Sequence, residues 1–104
     1  MKTKKFNTFS IAGNGKTNED YILCQDLFKE YSLAILADGM GGLSYGNLAA
    51  QIVSHAIADY IASNLHKYEP KELLCKAFDM ADELIRQKCY DLRCKMGAAV
   101  CVAL

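Results

Sequence analysis

Tryptophan is absent from this 104-residue chain, proline occurs once and histidine twice. A single proline, with seven glycines, excludes collagen-like and proline-rich linker sequences. Excess charge is also missing, because 12 Lys+Arg balance 12 Asp+Glu. That balance gives no electrostatic case for nucleic acid or an anionic membrane as partner. No apolar run is long enough to cross a bilayer; the longest covers residues 96–104. No secretory signal is visible either. Lys2, Lys4 and Lys5 are basic, but residues 6–17 are too polar for a signal-peptide core. The five cysteines are odd in number and irregular in spacing, so no disulfide framework is expected. Cys89, Cys94 and a distant histidine lack zinc-finger spacing. The cysteines read as small hydrophobes on helix and strand faces, which fits a reducing cytoplasm.

What is present is ordinary for a globular protein: 52% apolar and 23% charged residues. The length suits one domain over residues 1–104. The first half reads as strands and turns. Residues 6–12 form a plausible strand ended by Gly13-Asn14-Gly15. Residues 21–24 and 31–37 are apolar, β-favouring runs that can pair as a hairpin, with Asp38-Gly39 closing the second. The second half changes period. Leu48, Ile52, Val53, Ala56, Ile57, Tyr60, Ile61 and Leu65 follow the spacing of one helix face. A second helix starts at Pro70, where a missing N–H costs nothing. The short link predicts antiparallel helices. Residues 96–104 read as a strand buried on both faces, which needs partners on both sides. The chain is therefore α+β.

Two segments carry chemistry. Asn18-Glu19-Asp20 stands at the mouth of the earlier strand. Asp38-Gly39-Met40-Gly41-Gly42 follows the apolar run at residues 33–37. An acid fixed by a strand, next to glycines whose carbonyls stay free, suits a hard divalent cation such as Mg²⁺ or Mn²⁺. Taken singly, an Asp-Gly after a strand is most often a turn, and Asn-Glu-Asp a solvated loop.

Together, and with Gly46, Ala49-Ala50 and the strand opening at Gly97, these segments resemble the front part of a metal-dependent serine/threonine phosphatase of the PPM (2C) type. The resemblance runs from about residue 10 to residue 104. It implies part of a sandwich of two antiparallel sheets, with a pair of antiparallel helices packed on one sheet. It implies hydrolysis of phosphoserine or phosphothreonine in a phosphoprotein substrate, using two Mn²⁺ or Mg²⁺ ions. Asp38 would bridge both metals, Gly39 would offer its carbonyl, and Glu19 would reach one metal through water. Asp20 would orient water on the metal. Two divalent ions of this kind activate water for in-line attack on phosphorus.

The sequence also departs from the family's pattern. The phosphate-gripping arginine falls at Gly15, and the neighbouring Lys16 supplies only a point charge in its place. Met40 stands where some members carry histidine. The usual Gly-Thr-Thr of the later strand is Gly97-Ala98-Ala99 here. Two further aspartates of the family lie beyond the span matched here, so these 104 residues should bind metal weakly and turn over little substrate alone.

Two other readings stay open. One is a catalytically silent domain of the same lineage that uses its open sheet edge to pair with itself or another chain; under this reading and the phosphatase reading alike, the isolated chain should self-associate through that edge. The other is a nucleotide-binding P-loop over residues 10–17, with residues 33–38 as its magnesium strand. That pattern wants glycine at Ser10 and a helix after Thr17, and it leaves residues 39–42 without a role.

Overall fold

The computed structural model describes residues 8, 10, 18–27, 31–41 and 45–104. Five elements follow in chain order: β1 (Asp20–Leu27), β2 (Tyr31–Gly41), α1 (Tyr45–Asn64), α2 (Pro70–Leu92) and β3 (Met96–Ala103). The strands form one antiparallel sheet in the order β1-β2-β3. Both helices lie on one face of it, so the chain is α+β as expected. The strand expected over residues 6–12 falls outside the described residues, Thr8 and Ser10 apart.

The hairpin forms in the expected place, with Leu23 opposite Ile35 and Cys24 opposite Ala34. Strand alternation then sorts the side chains. Leu33, Ile35 and Ala37 point at the helices and are buried, while Leu36 faces away and is 52% exposed. One expectation is revised here. Asp38-Gly39 does not close β2; the strand continues to Gly41 and pairs with β3 throughout, Gly39 opposite Ala98 and Met40 opposite Gly97.

Helix α1 lies between the sheet and α2. Gly46, Ala49, Ala50, Val53, Ile57, Ala58 and Ile61 are all buried. A helix covered on two sides needs apolar residues over a wide arc, and small ones where backbones approach. Helix α2 packs on α1 through Leu73, Ala77 and Ala81, and its far half is largely exposed. It begins at Pro70 as expected. Extended Glu69 precedes it, and the Glu69 carbonyl accepts the Leu73 N–H at 2.9 Å.

The apolar run of β3 predicts burial on both faces, but the structure covers one. Met96, Ala98, Val100 and Val102 turn to the helix side, whereas Ala99, Cys101 and Ala103 are exposed. Among the described residues β3 pairs only with β2. Among the described residues no helix is long and apolar enough to cross a membrane.

One polar atom is out of place in this core. Ser54 is fully buried on α1, and its hydroxyl has no hydrogen-bond partner among the described residues. An unsatisfied buried hydroxyl costs about 1–3 kcal/mol, and alanine is the better helix former. Ser54→Ala is therefore expected to stabilise the chain by about 1 kcal/mol, read as a higher urea midpoint at unchanged slope.

Candidate functional site

The hairpin register sets the site. Asp20 lies directly opposite Asp38, and Ala99 lies opposite Asp38 on the other side. The Gly39 N–H donates to the Glu19 carbonyl at 3.0 Å, which continues the ladder one step beyond β1. Bonded and unbonded pairs alternate in an antiparallel ladder, so Asp20 and Asp38 form an unbonded pair, the kind whose side chains lie closest. Both face the sheet side without helices, and both are exposed.

Asn18 organises the approach to β1. Its side-chain carbonyl accepts the Asp20 N–H at 3.0 Å, and its amide donates to the Ser10 hydroxyl at 2.7 Å. Such an Asx bond fixes the backbone entering a strand. On the opposite face, the Tyr21 hydroxyl and His55 Nε2 of α1 lie 2.9 Å apart, with ring centroids at 5.4 Å. These contacts tie β1 to α1 and hold Asp20 in register. The sequence displays Asn18 within the acidic triplet, but its positioning role depends on a bond two residues along. The Tyr21–His55 pair spans 34 positions, and no local pattern marks it.

Two acids that face each other do not ionise independently. The Asp20 carboxyl is raised above the ordinary aspartate value of 3.8. Partial loss of water contributes most, followed by the hydrogen bond and the like charge of Asp38.

Glu19 goes elsewhere. Alternation sends it to the helix side, where its carboxylate lies against Gly46 in the first turn of α1. Helix α1 has no acid of its own in that turn, and a carboxylate there is favoured by the exposed N–H groups. Gly39 and Gly46 touch backbone to backbone, because a Cβ on Gly39 would collide with the Gly46 carbonyl. The Gly39 carbonyl points to the same side as its N–H, towards the Glu19 segment.

The structure thus brings Asp20 to Asp38, and Glu19 to Gly39 and Gly46, as two adjacent groups on opposite faces of β2. Lys16 lies outside the described residues. Facing carboxylates suit a hard divalent cation in charge and donor type. No group of three or more acid, imidazole or thiol side chains converges as a cation site among the described residues. The donor set fits such an ion in kind while filling only part of its coordination.

No curated protein matches the chain. The family model for protein phosphatase 2C matches residues 10–102, which include the Asn18 turn, the facing aspartates, both helices and most of β3. The chain belongs to the protein phosphatase 2C family, whose members are phosphatases generally dependent on Mn²⁺ or Mg²⁺.

Proposed function

We propose that this chain carries one side of a two-cation site that hydrolyses phosphoserine and phosphothreonine in proteins. The observation that carries the reading is the Asp20–Asp38 pair, two carboxylates set face to face by the strand register. When bound, divalent cations neutralise phosphate charge and supply a nucleophilic water near neutral pH. Asp38, on the central strand, would be the anionic anchor for such an ion, and the neighbouring Gly39 carbonyl would add a neutral oxygen. Glu19 braces α1 from the helix side of the hairpin, and would reach a cation held by Asp38 only through intervening water. Asp20, held opposite Asp38 by the hairpin register, would orient water on the cation.

Mn²⁺ titration followed by electron paramagnetic resonance tests this. Weak binding by the wild-type chain that is lost in Asp38→Ala supports the reading. Equal binding by both proteins overturns it. Hydrolysis of p-nitrophenyl phosphate by these 104 residues is expected to stay near the Asp38→Ala background, because the two carboxylates fill only part of the site.

A second reading is favoured by the open sheet face, where Leu36 is 52% exposed and Ala99, Cys101 and Ala103 follow on β3. It makes the chain an interaction module that pairs with a second copy. Dimers by light scattering together with no Asp38-dependent Mn²⁺ binding would favour it over the phosphatase site.

A further inference from the structure

Two of the five cysteines meet where α2 ends. The chain leaves the helix through Arg93, in the left-handed conformation with φ 50°. The Cys94 N–H donates to the Cys89 carbonyl at 3.1 Å, and the Arg93 N–H to the Tyr90 carbonyl at 3.3 Å. These nested bonds make a Schellman turn, in which the residues joined by the outer bond bring their side chains together. Here those residues are Cys89 and Cys94. The outer bond keeps their Cα atoms within about 7 Å, close to the span of a disulfide.

Other observations converge on the pair. Burial pushes the Cys94 thiol up, and Cys89 pushes it further, so the two sulfurs sense each other. The Cys89 thiol also donates to the Met96 carbonyl at 3.5 Å, at the first residue of β3. Both cysteines are half-buried. A surface cavity of about 710 Å³ lined by Cys89, Tyr90, Asp91, Arg93, Cys94 and Lys95 gives a small molecule access to them. The remaining cysteines sit elsewhere: Cys24 in β1, Cys75 near the start of α2, Cys101 on the open sheet face.

We propose that Cys89 and Cys94 are a modification site, a dithiol that a hydroperoxide converts to an intrachain disulfide across the end of α2. The Cys89 thiolate attacks a peroxide oxygen. The O–O bond breaks, the leaving oxygen takes up a proton, and Cys89 becomes a sulfenic acid. The Cys94 sulfur then attacks the Cys89 sulfur and displaces hydroxide, which leaves as water with the Cys94 proton. Two electrons pass from the sulfurs to the peroxide, and hydrogen peroxide yields two waters. Cys94 is the resolving thiol because the Schellman turn holds it beside Cys89. The product ties the last turn of α2 to the start of β3 and removes the Cys89 hydrogen bond to Met96.

The test uses the whole chain with one equivalent of hydrogen peroxide, alkylation of the remaining thiols, and trypsin without reductant. Trypsin cuts after Lys88, Arg93 and Lys95, so the disulfide links peptide 89–93 to peptide 94–95. The expected result is that linked peptide, abolished by reductant, with Cys24, Cys75 and Cys101 still alkylated. In Cys94→Ser, Cys89 is expected to stop at the sulfenic acid, trapped by dimedone. Oxidation of Cys75 or Cys101 while Cys89 and Cys94 remain alkylated overturns the proposal. Loss of both thiols without a linked peptide overturns it as well.

Discussion

Gly39→Ala is expected to destabilise the chain by about 3 kcal/mol, among the largest effects of any single methyl group in this fold. A Cβ at Gly39 would meet the backbone carbonyl of Gly46 and would stand 2.9 Å from the backbone oxygen of Glu19. Neither obstacle can rotate aside. Relief requires moving α1 off the sheet or breaking the Gly39–Glu19 bond, and both distort the neighbourhood of Asp38. Two other glycines calibrate the result. At Gly46 the nearest obstacle is the flexible carboxylate end of Glu19, and the Gly39 backbone carbon stands 3.1 Å away. Helix propensity favours alanine there by about 1 kcal/mol, so Gly46→Ala is expected to lose far less than Gly39→Ala. At Gly97 an added Cβ meets nothing within 4 Å, and Gly97→Ala is expected within about 0.5 kcal/mol of wild type. Urea unfolding of the three variants checks the order. Equal losses at Gly39 and Gly97 would mean that the helix–strand contact is not tight.

The helices were legible in the sequence because their signals are local. The apolar spacing from Leu48 to Leu65 needs no partner to be read, and Pro70 marks its own helix start. The hairpin was legible from two β-favouring runs, and the family from two motifs that keep their order. The end of β2 was misread for a physical reason. Asp-Gly is a turn signal when the strand has a solvent edge. Here β3 pairs along β2 as far as Gly41 and holds Gly39 extended. The apolar run of β3 likewise suggested cover on both faces, since composition cannot distinguish small residues facing a helix from small residues facing outward. The split between Glu19 and Asp20 follows from strand alternation, but it becomes visible only once Asp20 is known to pair with Asp38. The two acids are contiguous in sequence, and the pleat sends their side chains to opposite faces.

Asp20→Asn is expected to make the cation-free chain more stable than wild type at pH 7, and the advantage is expected to vanish on acidification. The sign follows from linkage. The Asp20 carboxyl is raised above 3.8 in the folded chain, so between that value and its raised one the folded state binds more protons than the unfolded. Wild-type stability from this group is present below the ordinary aspartate value and is lost as pH rises through the raised one. Asparagine keeps a neutral side chain of the same shape opposite Asp38 and does not titrate. Its stability relative to wild type therefore grows with pH across that window and then levels off. Carboxylates remote from the Asp20–Asp38 pair titrate alike in both proteins and cancel in the difference, so the difference reports the pair. Mn²⁺ does by charge what the proton does by neutralisation. It is expected to raise the wild-type urea midpoint at pH 7, with a smaller effect in Asp20→Asn and none in Asp38→Ala. Urea unfolding across the pH range, with and without Mn²⁺, measures both. A pH-independent difference between Asp20→Asn and wild type would show that the two aspartates do not share their charge. A Mn²⁺ response unchanged in Asp38→Ala would place the cation away from this corner of the sheet.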